Sequence, residues 1–141
     1  MTITMSPYLN FPYGETRAAM EFYQSIFGGE LAVMGFAEFG YPDMPADGVM
    51  HAALNAGPFS LFASDAMEGA QETWKGTRNY IAFMGDDAET MRGWFDKLAE
   101  GGNVGMALEK QVWGDFYGQL TDRYGIEWMF NISDGAASDE A

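Results

Sequence analysis

The sequence predicts an α+β fold in which a β-α-β-β-β unit occurs twice in tandem, and three observations carry that reading. Two segments repeat apolar residues at helical spacing, and each stops at a glycine pair, Gly28-Gly29 and Gly101-Gly102. Each segment is preceded by one short apolar run and followed by three. Shifting the first half by 73 residues lays Gly28-Gly29 on Gly101-Gly102, Phe22 on Phe95 and Pro7–Phe11 on Tyr80–Met84. Few identities coincide, so the repeat is one of pattern.

The elements follow in order. Pro7–Phe11 is apolar and ends at Pro12-Tyr13-Gly14, as a strand running into a turn does. From Thr16, the residues Ala19, Met20, Phe22, Tyr23, Ile26 and Phe27 recur at intervals of three and four, which predicts a helix over 16–27. Leu31–Ala37 reads as a strand, and Glu38–Gly48, with two prolines and three acidic residues, as a mobile loop. Val49–Asn55 and Pro58–Ser64 read as two strands around a turn at Ala56-Gly57. The polar stretch Asp65–Thr77 links the halves. Asn79–Met84 is then a strand, and Ala88–Glu100 a helix carrying Met91, Trp94, Phe95 and Leu98. Val104–Lys110, Phe116–Thr121 and Ile126–Ile132 complete the second unit. The 141 residues are read as a single domain: module 1 over about 5–65, connector 66–77, module 2 over about 78–133, and a disordered tail at 134–141.

Composition narrows the function. With 48% hydrophobic and 16% aromatic residues there is enough apolar surface for a substantial core. The absence of cysteine excludes disulfides, thiolate zinc sites and a cysteine nucleophile, and the single His51 removes most histidine-based metal and triad arrangements. A net charge of −14 with seven Lys and Arg argues against nucleic acid and against anionic membranes. The same charge serves solubility or attracts a cationic ligand. No run approaches ~20 consecutive apolar residues, and the N-terminus lacks a basic-then-apolar order, so a cytoplasmic location is expected.

Four stretches point to a family: Tyr8-Leu9-Asn10-Phe11; Ala19-Met20-Glu21-Phe22-Tyr23 with Gly28-Gly29-Glu30-Leu31; Met50-His51-Ala52-Ala53-Leu54; and Trp113 to Asn131, with Trp113-Gly114-Asp115-Phe116-Tyr117-Gly118 and Thr121-Asp122-Arg123-Tyr124-Gly125-Ile126-Glu127-Trp128. Together they resemble the PhnB-like subgroup of the vicinal oxygen chelate superfamily, which includes glyoxalase I, extradiol dioxygenases, fosfomycin resistance enzymes and bleomycin-binding proteins. The resemblance runs from about residue 5 to 133. It implies a glyoxalase-like fold, tandem βαβββ modules whose curved mixed sheets enclose a cavity, and a homodimer by analogy.

Metal-dependent members of that superfamily place His or Glu on the first and last strand of each module. The positions that correspond here are Tyr8, Leu61 or Phe62, Tyr80 and Met129, none a good ligand for nickel, zinc, iron or manganese, so no metal and no cofactor are expected. The subgroup has also carried a methyltransferase name linked to ubiquinone synthesis. The chain lacks the glycine-rich loop after a parallel strand that a nucleotide-type methyl donor needs.

The candidate residues follow from these positions. Tyr8, Asn10, Ser64, Tyr80, Trp113, Tyr117, Gln119 and Met129 suit recognition of a small aromatic or cationic molecule, with aromatic walls and a few hydrogen-bonding tips. The alternative for each is to complete a two-layer core. His51 and Glu127 are the candidates for acid–base chemistry in a lyase or isomerase, with Tyr8 or Tyr80 as proton donor. Strand alternation groups His51 with Val49, Ala53 and Asn55. Met44 and Met67 are candidates for a loop lid. Within the Trp113 to Asn131 stretch, Asp122 is expected to bridge turn amides, Gly125 to take positive φ, Trp128 to pack under a helix and Asn131 to tie the last strand to a neighbour.

Overall fold

A computed structural model describes residues 4–36, 48–66 and 79–133. The expected loop 38–48, connector 66–77 and tail 134–141, with Met44 and Met67, lie outside these residues except for Gly48 and Ala66. The chain divides into two compact units, Met1–Trp74 and Lys75–Ala141.

The first unit runs β1 (Tyr8–Phe11), α1 (Thr16–Phe27), β2 (Glu30–Gly35), β3 (Val49–Asn55) and β4 (Ser60–Asp65). The second repeats the order as β5 (Ile81–Gly85), α2 (Ala88–Ala99), β6 (Asn103–Lys110), β7 (Phe116–Thr121) and β8 (Glu127–Ile132). The sheets are ordered β1-β4-β3-β2 and β5-β8-β7-β6. In each, the first strand runs parallel to the last and the other pairs are antiparallel. This is the α+β repeat with mixed sheets that the pattern implies.

Each helix buries one stripe against its own sheet. In α1 the stripe is Ala19, Met20, Tyr23 and Ile26, and in α2 it is Met91, Phe95 and Leu98. Leu9 and Phe11 of β1, Ala52 and Leu54 of β3, and Leu61 and Ala63 of β4 complete the first core. Leu120, Trp128, Phe130 and Ile132 form the second, with the Phe83 ring stacked on Trp128 at 5.7 Å and tilted against Trp94 of α2 at 5.0 Å.

The buried positions correct the repeat offset. Ala19, Tyr23 and Ile26 correspond to Met91, Phe95 and Leu98, a shift of 72 that also carries Leu9 to Ile81 and Tyr8 to Tyr80. The glycine pairs themselves keep the offset of 73, because one extra residue, Glu100, stands between the equally long α2 and its pair. A Cβ on Gly29 would strike the Asn55 carbonyl, and one on Gly102 the Thr121 carbonyl, so the second glycine of each pair lets two strands approach.

Asp65, read from sequence as the start of the polar link, is instead the buried last residue of β4. Glu15 at the N-cap of α1 makes no side-chain cap bond. Asp65 supplies the acceptor from across the unit: it receives the Thr16 amide at 3.2 Å, the Thr16 hydroxyl at 2.6 Å and the Val49 amide at 2.9 Å. One carboxylate thereby joins β4, the start of α1 and the start of β3. In α2 the task is local, since Asp87 accepts from Thr90 N at 3.3 Å.

The closing hairpin is held as its sequence suggests. Asp122 Oδ1 accepts the amides of Tyr124 at 2.8 Å and Ile126 at 3.1 Å, and Gly125 takes φ +86°. Asp122 Oδ2 also accepts the Trp128 indole N–H at 2.9 Å, a bond the sequence does not announce. Asn131 Nδ2 donates to Asp115 Oδ2 at 3.0 Å, which ties β8 to the turn before β7.

Candidate functional site

Strand pleating puts the candidate side chains on the sheet face turned away from the helix. In the first unit the pairing aligns Tyr8, Phe62, Ala53 and Ala32 in one row across the sheet. The next row aligns Asn10 with Ser64 and His51 with Met34; carrying the β3–β4 register one residue further sets Ser64 beside His51. Four sequence candidates, Tyr8, Asn10, Ser64 and His51, are thus neighbours on one far face. The β4 alternation also decides between Leu61 and Phe62: Leu61 is buried under α1 and Phe62 lies on the far face.

The chemistry of this face is aromatic with a neutral polar row. The Tyr8 hydroxyl lies 3.1 Å from His51 Nδ1, and the rings of Tyr8, His51 and Phe62 form a triangle with centroids 5.6 to 6.4 Å apart. Tyr8 is 49% exposed, so the group opens outward. The expected grouping of His51 with Val49 fails at one point. Met34 pairs with His51 but Gly35 with Val49, and this irregularity turns Val49 into the core while His51 stays with Ala53 and Asn55.

The second unit builds a corresponding face. One row carries Met84, Asn131, Tyr117 and Glu109, and the next Ala82, Met129, Gln119 and Met106. Tyr80 reaches over this face: its hydroxyl donates to Gln119 Oε1 at 3.4 Å, Gln119 Nε2 donates to the Tyr117 hydroxyl at 2.8 Å, and that hydroxyl points to Met129 Sδ at 4.0 Å. Trp113, in the turn between β6 and β7, meets Tyr117 edge-to-face at 6.0 Å and is 56% exposed. All five second-unit ligand candidates, Tyr80, Trp113, Tyr117, Gln119 and Met129, are brought together. Sequence reading passed over Met84 and Met106, which join the two rows as exposed apolar ends. The signal for Met84 was alternation along β5, whereas the irregular pairing of β6 around Met106 hid the other.

His51 and Glu127 are not one constellation within either unit. His51 belongs to the first and Glu127, half-buried and paired with Thr121, to the second. The parallel register also revises one position. It pairs Met129 with Ala82, and two residues back it sets Glu127, not Met129, level with Tyr80. The first-and-last-strand positions are then Tyr8 and Phe62 in one unit and Tyr80 and Glu127 in the other.

That donor set does not fit a transition metal. The first unit offers a phenol, whose hydroxyl engages His51 Nδ1, and a phenyl ring, and the second a phenol and one carboxylate, too few good donors in either. Among the described residues, no three His, Asp or Glu side chains lie close enough together to hold a metal ion.

Comparison with known proteins places this geometry. The model of the Glyoxalase/Bleomycin resistance protein/Dioxygenase superfamily matches residues 6–130. Protein YjdN of Escherichia coli (strain K12) is 28% identical over 141 aligned residues, covering 91% of this chain and 94% of its own. The crystal structure of protein PA1353 from Pseudomonas aeruginosa is similar with a TM-score of 0.80 and 34% identity, over 94% of this chain and 98% of that one. The PhnB protein from Bacillus cereus shares the fold with a TM-score of 0.75 at 22% identity, over 93% of this chain and all of its own.

Proposed function

We propose, from the premise that this chain belongs to the Glyoxalase/Bleomycin resistance protein/Dioxygenase superfamily, that it binds a small aromatic or cationic molecule without a metal. The observation that carries the reading is the pair of far faces, where Tyr8, Phe62 and His51 in one unit and Tyr80, Tyr117, Trp113 and Met129 in the other combine ring surface with neutral hydrogen-bonding tips. Such surfaces bind by stacking and cation–π attraction, and a chain of net charge −14 favours a cationic partner over an anionic one. On this reading the protein works as a cytoplasmic homodimer, with neither nucleic acid nor membrane as partner. No helix among the described residues is long and apolar enough to cross a membrane.

A thermal-shift screen of aromatic ammonium compounds tests it. Ligand at about 100 times its dissociation constant adds ~2.7 kcal/mol to stability, a shift of several degrees. A melting temperature that stays fixed across aromatic, cationic and phosphonate compounds removes the reading.

One observation favours a second reading, a small-molecule lyase or isomerase. The Tyr8 hydroxyl at 3.1 Å from His51 Nδ1 brings a phenol and an imidazole together on one face, the pairing that acid–base chemistry uses. Glu127 would serve such chemistry in the second unit. If this is the function, His51→Gln abolishes turnover of the substrate while ligand binding persists; turnover that survives the change excludes His51.

A further inference from the structure

Resting on the binding reading, we propose that the far face of the second unit takes its ligand in one orientation, with an N–H donor such as a primary ammonium at Tyr80 and a flat apolar body over Met129, Tyr117 and Trp113. The polarity of the hydrogen-bond chain sets this. Gln119 gives an N–H to Tyr117 at 2.8 Å, so its carboxamide turns the carbonyl end toward Tyr80. A carbonyl oxygen only accepts, and Tyr80 therefore spends its one hydroxyl proton on Gln119. Tyr117, having accepted from Gln119, directs its own proton at the Met129 sulfur. The chain runs one way, from Tyr80 through Gln119 and Tyr117 to Met129. Flipping the carboxamide would require Tyr117 to donate to it and would take that proton from Met129.

At the Tyr80 end the hydroxyl, with its proton turned to Gln119, offers lone pairs to a ligand. A carboxylate or phosphonate there would meet lone pairs in the field of a chain carrying −14, whereas an ammonium meets an acceptor in a favourable field. At the other end two rings and a thioether gather, with Asn131 and Glu109 as the polar neighbours of Tyr117. Trp113 and Tyr117 stand edge-to-face at 6.0 Å, a corner that a planar ring completes, and the Met129 thioether makes soft contact with a ring. Exposed Ala82, beside Met129 in its row, adds no bulk on that side.

Four probes of one shape test the orientation on the full chain by calorimetric titration: phenethylammonium, its N,N,N-trimethyl derivative, 2-phenylethanol and 3-phenylpropionate. Phenethylammonium is expected to bind tightest, and 3-phenylpropionate weakest. Tyr80→Phe is expected to weaken phenethylammonium about tenfold while leaving the trimethyl compound, which has no N–H, unchanged. Nuclear Overhauser contacts in the wild-type protein, which need no variant, should place the ring protons at Trp113 and the Met129 methyl, and the methylene beside nitrogen at Tyr80. The proposal is overturned if 3-phenylpropionate matches phenethylammonium, if Tyr80→Phe leaves the amine unchanged, or if the methylene lies at Trp113. Binding without discrimination overturns the orientation alone. No binding by any of the four overturns the orientation and the binding reading together.

Discussion

Two buried carboxylates, Asp65 in the first unit and Asp122 in the second, each join separated parts of the chain. The donors on Asp122 include two turn amides and the indole of Trp128, which is wholly buried. Removing the acceptor strands the buried indole N–H, at about 1–3 kcal/mol for a buried group left unpaired, and takes the partner from two part-buried amides. Asp122→Ala is therefore expected to lower unfolding stability by about 3 kcal/mol in urea titration. Asp122→Asn keeps Oδ1 for the amides but sets an N–H against the indole N–H, and should cost about half as much. An unchanged urea midpoint for the alanine variant would refute this account. Asp65 shows why such residues escape sequence reading. Its donors on Thr16 and Val49 lie 49 and 16 residues away, and an acidic residue after Ser64 looks like the beginning of a polar link.

Helices and strands differ in how openly the sequence declares them. The helical stripes were legible because apolar residues at three- and four-residue spacing leave little choice of face, and both helix starts agree with the structure. Strand faces were less so. Both sides of these strands carry apolar residues, so alternation alone does not say which side is core, and one irregular pair moves the answer. The break at Met34 and Gly35 separates Val49 from His51, and two residues of parallel register exchange Met129 for Glu127 beside Tyr80. The glycine pairs were legible as helix stops, but their second member acts on the strands. Gly29→Ala is expected to cost more than about 3 kcal/mol, because its Cβ meets the Asn55 carbonyl at a positive φ. Gly57→Ala, at φ +90° in open space, should cost about 1–2 kcal/mol. Equal unfolding midpoints for the two variants would show that close approach contributes nothing.

The whole molecule carries 21 acidic residues against seven basic ones. Self-repulsion in such a chain opposes compaction, and salt that shortens the Debye length from about 30 Å to about 8 Å weakens it. Raising sodium chloride from 0.01 to 0.15 M is expected to lift the melting temperature by about 3 °C, or roughly 1 kcal/mol, and a falling temperature would contradict the dominance of repulsion. Family and repeat were legible at this scale because they rest on patterns spread over the chain. The far faces were not, since they depend on pairings between residues up to 54 apart, such as Tyr8 with Phe62. That pairing also orders events in time. In each unit the first strand made is an edge strand whose partner in the sheet is the last one made, β1 with β4 and β5 with β8. On the ribosome, Tyr8–Phe11 waits unpaired until Ser60–Asp65 has emerged, while β2, β3 and β4 zip together as near neighbours. Non-local parallel closure is thus expected to be the slow final act of each unit, and in the first the Thr16-to-Asp65 bonds, which cap α1, are expected to form with it.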